Sequence, residues 1–132
     1  QIKPDLHVAG QVRNGTTKGI DEYALAAYNA PFPDENHKQG VRQFPNLVPG
    51  TTRTPSAEPN KEAWKILREW KKPFLCAFSD KDPIFSGVEN SFYKLIPGCK
   101  NMPHVTIEDA GHFLQEDQPE ACVDAILSIK DI

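Results

Sequence analysis

Two short stretches carry the residue types that do chemistry. "CAFSDKDPIF" (Cys76–Phe85) runs apolar and then places Asp80 and Asp82 where the run stops. "IEDAGHFLQED" (Ile107–Asp117) does the same with His112. A carboxylate within reach of an imidazole orients the ring and stabilises its charged form, which leaves the second ring nitrogen free to act as a base. Each residue also has a bland reading. An aspartate after a strand is commonly a turn residue or cap, "SDKDP" is turn-like, and a lone histidine can be a hydrogen-bonded surface group. Gly111, just before His112, is expected to permit a tight turn that aims the ring into a cleft.

The elements that would position these groups are legible in the second half of the chain. Asn60 is placed to cap a helix over "KEAWKILREW", with Trp64, Ile66 and Leu67 as its apolar face. "KPFLCAFS" (Lys72–Ser79) reads as a buried strand and "HVTIED" (His104–Asp109) as a second, alternating one. Between them "VENSFYKLIP" reads as a helix stopped by Pro97-Gly98, and "QPEACVDAILSIKDI" closes the chain as a helix with Pro119 in its first turn. Helix–strand–helix–strand–helix predicts parallel strands covered by helices, an α/β class. In such sheets the working groups gather beyond the C-terminal strand ends, where Asp80, Asp82 and His112 fall.

The first half is less regular. Seven of the 12 prolines lie at positions 4, 31, 33, 45, 49, 55 and 59. Residues 1–19, polar and broken by Gly10, Gly15 and Gly19, read as loop. "IDEYALAAYNA" (Ile20–Ala30) reads as a helix with Asp21 as cap, and Glu35–Phe44 as a further helical stretch that Gly40 interrupts. Gly50–Pro59 reads as a linker.

Composition excludes several partner classes. The chain has 132 residues and a net charge of −3, with no basic stripe, so neither nucleic acid nor an anionic membrane surface is an expected partner. No apolar run approaches the roughly 18 residues of a membrane span, and no secretory pattern opens the sequence. Cys76, Cys99 and Cys122 make an odd count without CxxC spacing. That points to a reducing, cytoplasmic setting and to no metal site. The thiols are expected to fill interior space, with Cys99, after Pro97-Gly98, exposed.

The sequence resembles the C-terminal part of the α/β-hydrolase fold and, more narrowly, the haloalkane dehalogenases. "FSDKDPI" resembles the segment carrying that family's triad acid, which falls on Asp82 and not on Asp80. "DAGHFLQED" resembles the segment carrying its histidine, at His112. "AAYNAPFPDENHKQGVRQFPNLVP" (Ala26–Pro49) resembles the late cap and its return to the core. There Phe44 and Pro45 match a pair near the halide and substrate, although an aromatic that packs cap onto core reads equally well. The resemblance implies that residues 1–56 are the remainder of a helical cap. Residues 57–132 would be the end of the core, with the last two parallel strands and their helices.

The resemblance further implies a substrate class of small halogenated hydrocarbons, water as co-substrate and no cofactor. The reaction would hydrolyse the carbon–halogen bond through an alkyl-enzyme ester. The family's nucleophile precedes its acid and histidine, so the missing N-terminal half, or a homo-oligomeric partner, is expected to complete the molecule. A nucleophile elbow would read G-x-D-x-G or G-x-S-x-G between strand and helix. The formal match here is "GTTKG" (Gly15–Gly19), whose flank is too polar for a central strand. Epoxide hydrolases share the acid and histidine motifs but need ring-opening tyrosines, and Tyr23, Tyr28 and Tyr93 stand in no such pattern. A non-catalytic, truncated protein that oligomerises is the reading from outside enzymes.

Overall fold

The computed structural model describes residues 6–129. It is a helix-rich α/β arrangement around a small parallel sheet. Residues 1–5 of the expected opening loop and the last three of the expected closing helix lie outside the described residues.

The first correction falls within the expected loop. Helix α1 spans Val8–Asn14, and it buries Val8, Ala9 and Val12. Those positions share one helical face, so a three-residue apolar stripe outweighs the glycine at position 10 once a partner covers it. The partner is α2, Glu22–Asn29, whose Asn29 side chain accepts the Ala9 N–H at 3.3 Å. Asp21 caps α2 as expected, accepting the Ala24 N–H at 2.8 Å.

Asp34 then opens a 3-10 turn, Glu35–Lys38, by accepting the Asn36 and His37 N–H groups. The chain continues through α3, Gln39–Gln43, and a second 3-10 turn, Phe44–Leu47. Gly40 does not interrupt this stretch. It lies inside α3, and the change from α to 3-10 comes at the Phe44-Pro45 step.

Helix α4, Ala57–Leu67, starts ahead of the expected cap. Ser56 is its N-cap position and Asn60 lies inside, because Pro59 falls in the first turn, where the missing N–H costs nothing. Trp64 and Leu67 pack inward as expected. Ile66 does not, being 65% exposed.

Strand β1, Ala77–Ser79, and strand β2, Val105–Ile107, pair in parallel with Ala77 opposite Val105 and Ser79 opposite Ile107. Both are shorter than the apolar runs that contain them. Upstream of Ala77 the backbone donors go elsewhere, Phe74 to the Gly98 carbonyl at 3.0 Å and Cys76 to the His104 ring at 3.1 Å. His104 accepts that N–H on Nδ1 and turns Nε2 to the Cys99 carbonyl at 3.0 Å, so its two ring nitrogens are used structurally.

Helix α5, Glu89–Leu95, crosses between the strands, and a 3-10 turn, Pro97–Cys99, returns the chain. The core lies here: Cys76, Ile96 and Cys99 are buried among Trp64, Leu67, Phe74, Phe78 and Phe92. Trp64 stacks on Phe92 with centroids 5.6 Å apart. Cys99 is therefore interior and not exposed, and burial pushes the Cys76 thiol up to about 12. After β2 come α6, Leu114–Asp117, and α7, Pro119–Ser128, with Pro119 in the first turn as expected. No described helix is long and apolar enough to cross a membrane.

Candidate active site

The end of β1 delivers two aspartates to different tasks. Asp80 accepts the Ala110 N–H at 3.1 Å and so ties the β1 exit to the β2 exit. Asp82, 8% exposed, accepts the Ile84 N–H at 2.8 Å on one oxygen. Its other oxygen lies 3.0 Å from His112 Nδ1. The sequence brought both acids to the strand end, and the geometry selects Asp82 as the histidine's partner. Burial works against the charged form of Asp82. The donors Ile84 N–H, His112 and Phe85 N–H outweigh it and hold the carboxyl below its ordinary range.

An ionised Asp82 accepts from Nδ1–H, which fixes the ring in the tautomer whose Nε2 carries a lone pair. Phe85 and Phe113 flank the imidazole, with ring centroids 5.4 and 5.1 Å away. The ring is thus held on Nδ1 and bracketed by aromatic walls.

His112 lines a cleft of ≈ 590 Å³ built from both parts of the chain. Pro83, Ile84 and Phe113 come from the second half, and Leu6, Val41, Arg42 and Pro45 from the first. Pro45, named with Phe44 from sequence, is on the wall. Phe44 is not among the lining residues and is 74% exposed. Arg42 pairs with Glu35.

Gly111 is required for a reason other than the expected one. Its φ is not positive; positive-φ glycines among the described residues are Gly19 and Gly87. What Gly111 supplies is proximity. A Cβ there would lie 2.4 Å from the Gly15 carbonyl oxygen and 3.2 Å from the Gly15 carbonyl carbon. The turn before His112 is packed directly on the turn that follows α1.

Sequence reasoning missed Asp117, which holds these two turns together. It is 4% exposed and accepts N–H groups from Thr17, Lys18 and Gly111. Burial opposes its charge, and the Gly111, Thr17 and Lys18 donors more than offset that, so its carboxyl also sits below the ordinary range. No local pattern advertises it, since two of its partners lie about a hundred positions away. Thr17, the centre of the formal elbow match, spends its N–H on Asp117 and its hydroxyl on the Asp109 carbonyl at 2.8 Å. It lies between two helices, α1 and α2, instead of at the end of a strand. No cluster of histidine, cysteine and acidic residues able to hold a metal occurs among the described residues.

What the arrangement can do is take a proton at His112 Nε2 and hold the resulting imidazolium against Asp82. No protein-family model matches the chain. Curated proteins do. A haloalkane dehalogenase of Psychrobacter cryohalolentis is 50% identical over 117 residues, which is 89% of this chain and 39% of that protein. One of Mycolicibacterium paratuberculosis is 39% identical over 97% of this chain and 42% of its own length. One of Mycobacterium marinum is 38% identical over 97% of this chain and 43% of its own length. The chain spans about two fifths of the length of these relatives. Over nearly its whole length, then, this chain is homologous to one portion of the haloalkane dehalogenases.

Proposed function

We propose that these residues form the C-terminal, acid-and-histidine portion of a haloalkane dehalogenase-like hydrolase of the α/β-hydrolase fold. Residues 1–56 are the remainder of its cap and 57–132 the end of its core. The observation that carries the reading is the 3.0 Å contact between His112 Nδ1 and Asp82 at the rim of a cleft shared by both parts. The similarity to proteins named haloalkane dehalogenase supports the choice of chemistry.

In that chemistry a carboxylate from the portion of the enzyme that this chain does not match attacks the carbon bearing the halogen. A carbon–oxygen bond forms, the carbon–halogen bond breaks, and halide leaves with its electron pair. Water then attacks the ester while His112 Nε2 takes its proton, and Asp82 stabilises the imidazolium. Alcohol departs, the carboxylate is regenerated, and the proton passes to solvent. Pro45 forms part of the cap-side wall against the substrate. Phe44 is the neighbouring candidate for that wall, a role its exposed ring takes only against further protein. No cofactor enters the scheme.

The epoxide hydrolase alternative has less support. None of Tyr23, Tyr28 and Tyr93 lines the cleft beside His112, and the Tyr28 hydroxyl is donated to Glu116 at 2.6 Å.

The test is halide release from 1,2-dibromoethane by this chain joined to the unmatched three fifths of the Psychrobacter relative. Sustained turnover is expected. His112→Ala should release a single equivalent of halide and leave an ester adduct visible as a mass increase on the protein. Undiminished turnover by that variant would end the assignment of His112 as the hydrolytic base. On its own the 132-residue chain should release no halide, because none of its acids stands in an elbow.

A further inference from the structure

The turn that carries His112 is fastened on both sides of the histidine, to the turn that follows α1 and to Asp117. Before it, the Asp109 carbonyl accepts the Thr17 hydroxyl at 2.8 Å. Gly111 donates to Asp117 Oδ2 at 2.8 Å. After it, Phe113 donates to the Gly15 carbonyl at 3.1 Å. The turn from Gly15 to Lys18 is in turn held by Asp117, whose Oδ1 accepts Thr17 N–H at 3.0 Å and Lys18 N–H at 3.1 Å. Lys18 Nζ adds a bond to the Asp117 carbonyl at 2.9 Å. One carboxylate thus bridges the two turns: Oδ2 accepts from Gly111 and, at 2.9 Å, from Thr17, while Oδ1 accepts from Thr17 and Lys18.

We propose that Asp117 is a positioning residue for His112, locking the Asp109–Phe113 turn onto the Gly15–Lys18 turn so that the imidazole stays aligned with Asp82. Only a carboxylate satisfies this site. The donors converge on both oxygens, and an amide of the same shape would turn its NH₂ group toward an N–H on one side. A buried donor left without an acceptor is costly, so one arm of the bridge must open in an amide variant. The inference adds to the proposed function a part that neither the acid nor the histidine supplies. It rests on that reading only for its catalytic consequence.

Asp117→Asn tests it, with the His112 ring observed by ¹H and ¹⁵N NMR in the 132-residue protein. In the unmodified protein a downfield Nδ1–H signal, hydrogen-bonded to Asp82, is expected. In Asp117→Asn that signal should broaden or vanish, and the Gly111 amide should exchange roughly 10- to 100-fold faster, the loss of one hydrogen bond to a charged group. Resonances of Trp64 and Phe92 should stay in place. A folded variant that keeps the His112 signal overturns the proposal. Should the variant not fold, exchange in the unmodified protein decides. Thr17, Lys18 and Gly111 amides opening with one common free energy support the bridge, and amides that open independently overturn it. The readout is ring geometry, so a failure of halide release in the joined enzyme would bear on the dehalogenase reading alone.

Discussion

Replacing Gly111 by alanine probes the closest backbone approach around the site. The new Cβ would start 2.4 Å from the Gly15 oxygen, with the Gly15 and Thr16 carbonyl carbons at 3.2 and 3.4 Å. All three neighbours are backbone, so no side chain can rotate away. Reaching ordinary contact requires the two turns to separate by about 1 Å. That movement acts on the Gly111–Asp117 bond at 2.8 Å and the Phe113–Gly15 bond at 3.1 Å. Overpacking costs about 1–3 kcal/mol, and loss of a bond to a buried carboxylate about 1.5–3 kcal/mol. Because one displacement serves both, a total of about 3–5 kcal/mol is expected, a large share of a domain's usual 5–15 kcal/mol. The melting temperature should fall on the order of 10–20 °C. The control is Gly40→Ala in α3, where a Cβ would meet nothing within 4 Å. There helix propensity should raise stability by roughly 0.5–1 kcal/mol. Urea and thermal unfolding followed by circular dichroism compare the two. A Gly111→Ala protein within about 1 kcal/mol of the unmodified one would refute the reasoning.

Three further outcomes are expected. In Asp82→Asn the side chain keeps an acceptor for the Ile84 N–H and presents NH₂ to the ring, so ¹⁵N NMR should show His112 switching to the Nε2–H tautomer. In the joined enzyme turnover should then drop by about 10⁴-fold, as in other acid–histidine pairs. Retention of the Nδ1–H tautomer would count against the pair. Asp82 and Asp117 have folded-state carboxyls held below the ordinary value of 3.8, so the unfolded chain binds more protons in that range. Their contribution is complete above that value and is lost as pH falls through the lower folded values. Asp117→Asn should therefore flatten the stability curve on the acid side of 3.8; an unchanged slope would contradict it. Finally, β1 pairs on one edge only among the described residues, and α7 exposes Val123, Leu127 and Ile126, the last at 66%. An open edge beside an apolar surface favours association. Light scattering at micromolar concentration should find self-association, and a monodisperse monomer would exclude it.

What could be read from the sequence, and what could not, divides by range. The β1–α5–β2 succession was legible because apolar runs and stops repeat at element length, and the parallel sense of the β1–β2 pairing follows from that order, though its register does not. The choice between Asp80 and Asp82 was not a matter of periodicity, since both end the same run; the family resemblance selected Asp82. Helix α1 was hidden because its apolar stripe is only Val8, Ala9 and Val12, too short to show a period without the α2 face that covers it. Strand length was overread for the opposite reason. Phe74 and Cys76 look like strand residues, but their N–H groups find the Gly98 carbonyl and the His104 ring before any strand reaches them. Asp117 was invisible because the bonds that make it a bridge, to Thr17 and Lys18, are long-range.

The site's two halves depend on different kinds of interaction. Asp82 and His112 meet through bonds within the second half of the chain: Ile84 N–H fixes the acid, and Asp80 fixes Ala110 two residues before the histidine. The sheet exits therefore bring the pair together, and the Asp117 bridge is the tie that would hold the ring's angle. The cleft is another matter. The first half, which supplies Leu6, Val41 and Pro45 to its wall, reaches the second half near the histidine through polar ties from the Gly15–Lys18 turn and Tyr28. These are the Asp117 bridge, the Thr17 and Gly15 bonds, and Tyr28 donating to Glu116. Hydrogen bonds of this kind are directional and few, so they set the angle at which one part meets the other more than they add stability. Two of them meet the chain on either side of His112, at Gly111 and Phe113. The turn that carries the histidine is thus the one against which the Gly15–Lys18 turn is set, with Gly111 at the contact.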